Sequence, residues 1–458
     1  MRLVLALLFL LPSSAQAQIT VAVISKKCVP VQPVGVTNAG VSIYTDSTGA
    51  IVPPPSLGPD WNTAYQTYIS AAWWFLLNDD PYDANDGIGA IFAEPFLFPG
   101  NPPGMSGYNE DNPASRFSVL SVGALREYSL SGNVQYLSFA ETLLNYSLTD
   151  DITPSDQVYW PSMPCSGALA GRSPTSCYES PLGALPGVFI EPDKAAYLGL
   201  AYLKTFEVDM NPAFKNAAIQ IGNTEAANIR VGNSAQSPWP FRVNANTNAA
   251  PDAADDYTAS VIPQIMLFDE LIRLNIGNVV AYRSARSTAL NWFWAYPMST
   301  NLWANYFEDI PGDLTNLNAY TALEAAYYLL NNPSLDPQWQ SHVAGLIAWV
   351  EANFVVEQFG ANTVMEQQLY PYTMSSHTAH YAQVVGLYGK MTNDPASIAK
   401  AQRSLNWDTY ALLGVPPQPY AGQIVLNPFT TNPDMSELWF TDGYVTPIYF
   451  REVMEDLQ

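Results

Sequence analysis

From Pro113 to the C-terminus the chain restarts one pattern roughly every 60 residues, a period that signals a stacked or circular array of similar units. Each unit opens on a polar or Pro-rich loop, runs into an apolar helix rich in Ala, Leu and Tyr, and breaks at a turn before a second helix. The first helices are expected at Pro113–Leu130, Asp193–Phe206, Tyr257–Leu274, Asn318–Leu330, His377–Lys390 and Thr441–Met454. Gly132-Asn133, Asn211-Pro212, Gly277-Asn278, Asp336-Pro337 and Asp394-Pro395 supply stops and fresh N-terminal starts. The second helices then read as Val134–Ser147, Ala213–Arg230, Val279–Trp294, Trp339–Phe354 and Ala396–Leu413. That leaves two helices without a sequence neighbour, Trp61–Leu77 at the front and the one ending near Met454. If they pair, the chain closes into a ring of six hairpins with an inner and an outer circle.

This arrangement resembles the (α/α)6 toroid, the six-hairpin glycosidase fold, over about residues 60–458. The segments Ser237-Pro-Trp-Pro-Phe-Arg-Val243 and His377-Thr-Ala-His-Tyr381 also look like segments of bacterial secreted proteins of this general type. The resemblance implies an all-α toroid domain, residues 59–458, in a fold that hosts glycoside hydrolases, polysaccharide lyases and sugar epimerases. Residues 18–58 differ: Ile19–Ser25 and Val41–Tyr44 alternate like short strands, and Asp46-Ser-Thr-Gly49 reads as a hairpin turn before Ile51-Val52. They are expected to form a small β appendage on the ring.

Residues 1–17 have the charge, the short apolar run Leu3–Leu11 and the Ala15-Gln16-Ala17 site of a secretory signal peptide. That run is too short to span a bilayer, and no later uninterrupted apolar stretch reaches the length of about 18 residues that a span requires. A secreted or periplasmic protein without membrane insertion is therefore expected. A formal net charge of −23 with only 18 Lys and Arg argues against nucleic acid and anionic membrane surfaces, and weighs against polyanionic glycans. Of the three cysteines, Cys165 and Cys177 bracket a Pro- and Gly-rich loop and are the pair expected to join in an oxidising compartment, leaving Cys28 free. They lack His at ligand spacing, and no nucleotide or flavin motif is visible, so neither metal nor cofactor is expected.

The connecting loops 78–112, 148–192, 231–256, 295–317, 355–376 and 414–440 are long and aromatic, and all precede first-type helices. In a toroid they surround one mouth of a central funnel. Inner-helix N-termini converge there, where free N–H groups and the helix dipole favour carboxylates and polar ligands. Polar residues just before these helices are the first candidates, with N-capping the expected role of Asp193, Asp256 and Asn318. Hydrolysis of a glycosidic bond needs two carboxyl groups, one protonated and one acting as base or nucleophile. Glu308 and Asp309, Glu366, and Asp442 within Trp439-Phe-Thr-Asp-Gly-Tyr444 are the catalytic pool, because each sits beside aromatic residues.

Substrate contacts are expected from Trp239, Arg242, Tyr257, Asn318, His377, Trp439 and Tyr444. Trp239 reads as a sugar-stacking platform, and Arg242 either as a hydroxyl or carboxylate anchor or as a buried partner of Asp255 or Asp256. His377 and His380, three apart, share a helix face and serve either acid–base chemistry or hydrogen bonding within the inner ring. The leading expectation is a glycoside hydrolase acting on a poly- or oligosaccharide. A lyase or C5-epimerase of a uronate, with Tyr257 or His377 as acid or base and Arg242 on the substrate carboxylate, is the enzymatic alternative. A glycan-binding protein without catalysis is the third.

Overall fold

Local signals start and stop the helices where the sequence places them. The structure, a computed structural model, describes residues 33–37, 40–78, 93–96, 104–108, 113–149, 152–165, 188–305, 316–418, 421–430 and 440–457. Its helices are α1 (Trp61–Asn78), α2 (Pro113–Ser131), α3 (Val134–Tyr146), α4 (Pro192–Asp209), α5 (Pro212–Asn228), α6 (Ile262–Leu274), α7 (Val279–Ala295), the one-turn α8 (Pro297–Thr300), α9 (Ala319–Asn331), α10 (Trp339–Phe354), α11 (Ser375–Thr392), α12 (Pro395–Asp408) and α13 (Phe440–Leu457). The side chains of Asn133, Asn211, Asn278, Asn318 and Asp394 each accept a backbone N–H of the helix that follows, which satisfies donors otherwise left without a partner.

The largest boundary differences are at the end of α12, which stops at Asp408 rather than Leu413, and at the start of α6, which begins at Ile262 rather than Tyr257. Pro263 explains the second: a proline tolerates only the first turn, so it pins the start beside itself. At α11 the start moves the other way, to Ser375, which puts His377 and His380 inside the helix.

Helices α2, α4, α6, α9, α11 and α13 form the inner circle, and α3, α5, α7, α10 and α12 each pack on the preceding inner helix. The front helix α1 packs on α13, supplying the sixth hairpin, and α13 also contacts α2 and α11, which closes the (α/α)6 toroid. Closure has a side-chain basis. Tyr68 of α1 stacks on Phe450 of α13 with centroids 4.2 Å apart, and Arg451 of α13 makes two hydrogen bonds to Glu127 of α2, at 2.7 and 2.9 Å. Gly123 lets α2 approach α13, since a Cβ there would lie 2.5 Å from Ile448 Cδ1.

The β elements are small. Strands β1 (Pro33–Val36), β2 (Ser42–Thr45) and β3 (Ile51–Val52) form an antiparallel sheet in that order. It docks on the outer helix α12, where the Tyr410 hydroxyl donates to Val52 O at 2.7 Å and Asn406 Nδ2 donates to Ile51 O at 3.0 Å. Ile43, Ile51, Ala361, Trp407 and Tyr410 make the apolar contact. Strands β4 (Ala93–Phe96) and β5 (Gly104–Tyr108) pair with each other. Strand β6 (Phe189–Ile190) pairs with β7 (Val243–Asn244), and β8 (Val355–Gln358) with β9 (Ala361–Val364). The expected strand at Ile19–Ser25 lies outside the described residues, as does the leader segment.

Candidate functional site

The β6–β7 pair carries the two mouth loops that matter most into one register. Ile190 opposes Val243, so the next residue on one strand, Glu191, meets Arg242 on the other. Glu191 occupies the N-cap position of α4 without capping it: its Oε1 accepts from Arg242 Nε at 3.0 Å, with both side chains buried. In the first turn of α4, Asp193 accepts from the Lys194 backbone N–H at 2.9 Å and from Lys194 Nζ at 3.1 Å, and each side chain is only 1% exposed. Asp193 is thus an ion-pair member in the first turn rather than the expected cap. Burying four charges of alternating sign costs desolvation that their mutual pairing offsets only at good geometry, which makes such a cluster a functional candidate.

Three further carboxyl groups surround this cluster. Glu324, in the second turn of α9, has its pKa pushed well above the usual carboxylate range by burial first and by the negative charge of Asp193 second, with Lys194 opposing. Neither of its oxygens meets a hydrogen-bond donor among the described residues. Glu225 reaches in from α5 and is raised in the same way, by burial and then Asp193. Asp255 is raised to about 6, by burial against the pull of Arg242, with Asp252 and Asp256 adding to the rise. The mouth therefore sets carboxyl groups whose pKa burial raises beside a carboxylate held by an ammonium, and divergent environments of that kind are candidates for acid and base roles.

Opposite lies an aromatic wall. His377 and His380 of α11 are 5% and 4% exposed, and burial lowers both imidazole pKa values to about 3, with His377 adding to the effect on His380. The His380 ring stacks on Tyr449 at 4.9 Å and leans on Tyr320 at 4.7 Å. The imidazoles are neutral across the physiological range, able to accept or relay a proton but carrying no charge.

The other expected site residues fall in several places. Trp239 is fully buried, its Nε1 donating to Glu225 O at 2.9 Å and its ring tilted against Phe268; this is a packing role, and no ring face is left for a sugar. Tyr257 is likewise buried, with its hydroxyl donating to Leu302 O at 2.7 Å and its pKa raised by burial, which leaves it poorly placed as a base. Arg242 takes the buried-partner alternative, but with Glu191 as the carboxylate; Asp256 pairs instead with Arg230 at 2.7 Å. Asn318 is the N-cap of α9, accepting from Thr321 N at 3.1 Å.

Glu366 sits half-buried on the rim, accepting from Gln367 Nε2 at 3.1 Å. Asp442 and Tyr444 fall on the first turns of α13, and their side chains are outside the description. Glu308, Asp309, Trp439 and Cys177 lie outside the described residues. Cys165 is disulfide-bonded.

The sequence reading passed over Glu324, Glu225, Tyr320 and Tyr449 because they lie inside helices rather than before them. One signal was available. Glu324 stands in Ala319-Tyr-Thr-Ala-Leu-Glu-Ala-Ala-Tyr-Tyr-Leu-Leu330, a carboxyl group in an apolar run with no basic residue a turn away to pair with it.

Comparison with known proteins places the fold. The structure is similar to cellobiose 2-epimerase from Spirochaeta thermophila (TM-score 0.60, 11% identity, 86% of this chain and 96% of that one). It is also similar to a D-mannose isomerase (TM-score 0.57, 12% identity, 87% and 99%). A third is a family 76 α-mannanase of Bacteroides thetaiotaomicron (TM-score 0.53, 12% identity, 85% and 96%). No family model and no curated protein matches the sequence. At these identities the likeness establishes the toroid and leaves the chemistry to the site. No helix among the described residues is long and apolar enough to cross a membrane.

Proposed function

We propose that this chain is an exported, saccharide-processing enzyme whose reaction is glycosidic hydrolysis at the funnel mouth, with Glu324 as the proton donor and Asp193 as the second carboxyl group. The observation that carries the reading is the buried Asp193–Lys194 pair beside a Glu324 whose pKa burial raises and whose oxygens meet no donor among the described residues. A glycosidase needs that asymmetry: one carboxylic acid to protonate the leaving oxygen, and one carboxylate to stabilise or attack the sugar carbon as positive charge develops. Lys194 holds the carboxylate in position, and the neutral His377 and His380 give the site a wall that hydrogen-bonds hydroxyls without competing for charge. The known proteins of this shape, named for acting on cellobiose, mannose and mannan, agree with a saccharide substrate. The leader-like residues 1–17 are the ground for export to the exterior or periplasm.

Incubation with a panel of neutral plant and microbial polysaccharides, followed by product analysis, tests the reading. Release of new reducing ends by the wild type and its loss in Glu324→Gln and Asp193→Asn is expected; full turnover in both variants defeats the assignment.

A second reading is a sugar epimerase or isomerase, favoured by the paired neutral imidazoles against Tyr320 and Tyr449. Such a reaction moves a carbon-bound proton, so deuterium from D2O appearing in a recovered sugar without chain cleavage selects it. The uronate alternative keeps His377 as its acid or base, while Arg242 Nε is engaged by Glu191 and the Tyr257 hydroxyl by Leu302 O.

A further inference from the structure

The loop between β9 and α11 is held like a bracket across the rim, yet its tip presents apolar side chains to solvent. Asn316 pins it from the α9 side, its Nδ2 donating to Gln367 Oε1 at 2.5 Å and its Oδ1 accepting from Leu369 N at 3.1 Å. A bridge joins Met365 to Thr373, and Asn427 Nδ2 donates to Thr373 O at 2.9 Å and Oγ1 at 2.6 Å from the far side. On this fixed backbone Leu369 is 54% exposed and Tyr372 36% exposed, while Tyr370 abuts Tyr372 edge-on at 4.7 Å and packs towards Met374 and Leu426. Glu366 and Gln368 flank the tip with polar atoms, and the whole lies just before the N-terminus of α11, at the funnel mouth.

We infer that Tyr372, with Leu369 and Tyr370 beside it, is a stacking platform for one pyranose ring of a glycan chain running outward from the reacting site, with Glu366 and Gln368 engaging its hydroxyls. A tyrosine already immobilised by its neighbour and by a pinned loop loses little freedom on binding, and its ring matches the C–H face of a pyranose. The platform makes the enzyme select oligo- or polysaccharides over short substrates. This inference rests on the saccharide reading above.

The test compares wild type, Tyr372→Ala and Tyr372→Phe on a polymer that the wild type cleaves and on its matching disaccharide or aryl glycoside. Because the side chain is at the surface, thermal unfolding should be unchanged in both variants. Tyr372→Ala should raise KM for the polymer about 10-fold, or ~1.4 kcal/mol, with kcat and short-substrate kinetics unchanged, and Tyr372→Phe should restore the wild-type value. Retardation of Glu324→Gln in a polysaccharide gel, lost on adding Tyr372→Ala, supports the platform without turnover. Equal loss on every substrate length, or none on any, overturns the platform and spares the hydrolase reading. A wild type that neither binds nor turns over any saccharide overturns both. A concentration-dependent dimer in sedimentation that Tyr372→Ala abolishes overturns the platform in favour of a contact between copies of this chain.

Discussion

Near the C-terminus of α13 the carboxylate of Glu452 receives Arg126, the Tyr327 hydroxyl at 2.8 Å and the Gln383 amide, whereas at the mouth Glu324 meets no donor among the described residues. Both are glutamates on inner helices. The difference is satisfaction: three helices contribute partners to Glu452, Arg126 also reaching Glu455 at 2.7 Å, and this network ties α2, α9 and α11 to α13. Around Glu324, Asp255 Oδ1, Asn318 Nδ2 and His380 Nδ1 also lack described hydrogen-bond partners. Both Glu452 oxygens have donors although the neighbouring Gln383 Oε1 lacks a described partner, which suits the carboxylate to holding the fold, and the unpartnered groups of the mouth are candidate ligand contacts. The Glu452 network helps hold the circle closed, and the mouth is the candidate site.

Substitutions can break this contrast. The largest effect is expected for Glu324→Gln, which preserves shape and a neutral group but removes the transferable proton: turnover should fall about 100- to 10,000-fold, with the urea midpoint unchanged. Glu452→Gln should do the reverse, costing about 1–3 kcal/mol of stability, read from the same urea curves, while the folded fraction turns over normally. If both variants lose activity alike and stability alike, the two regions are not separate in role. Asp193→Ala follows, since it takes the carboxylate from a Lys194 only 1% exposed; a cost of about 3 kcal/mol is expected.

Asp255 sharpens the comparison through pH. Its folded pKa of about 6 exceeds the usual value, so the native state binds the proton more tightly than the unfolded chain. Its stabilising share is complete below about pH 4 and is lost as pH rises through 6, to a limit of about 3 kcal/mol. Asp255→Asn should therefore stabilise the protein at pH 8 and leave it unchanged at pH 4. The buried imidazoles act with the opposite sign. With folded values near 3, their share is present above 6.5 and is lost as pH falls towards 3, so the variant's stability should fall with acidification more plainly than the wild type's. The smallest effect belongs to Asn318→Ala, the loss of a cap at about 1 kcal/mol, measured by thermal unfolding.

The helix pairs were legible because their signals are local. Asn211-Pro212 and Asp394-Pro395 stop one helix and start the next whatever surrounds them, and the five caps sit within a residue or two of their expected positions. Where a signal was overlooked, as with Pro263, the boundary moved by five residues. The site was legible only in part. Residues before the inner helices drew attention to this end of the ring, and Glu191, Asp193, Lys194, Arg242 and Asp255 gather there. The pairing of Glu191 with Arg242, 51 residues away, was not legible, because a two-residue strand pair with Ile190 against Val243 in register sets them together.

From the sequence alone come the six-fold helical repeat, the caps and breaks that delimit it, and the acidic, aromatic character of the loops, since each depends on residues close in the chain. Only the tertiary structure decides that Trp239 and Tyr257 are inside, that burial and Asp193 raise the pKa of Glu324, and that Tyr372 stands at the rim. Burial and charge proximity are properties of neighbours brought together from distant parts of the chain, and no local pattern encodes them.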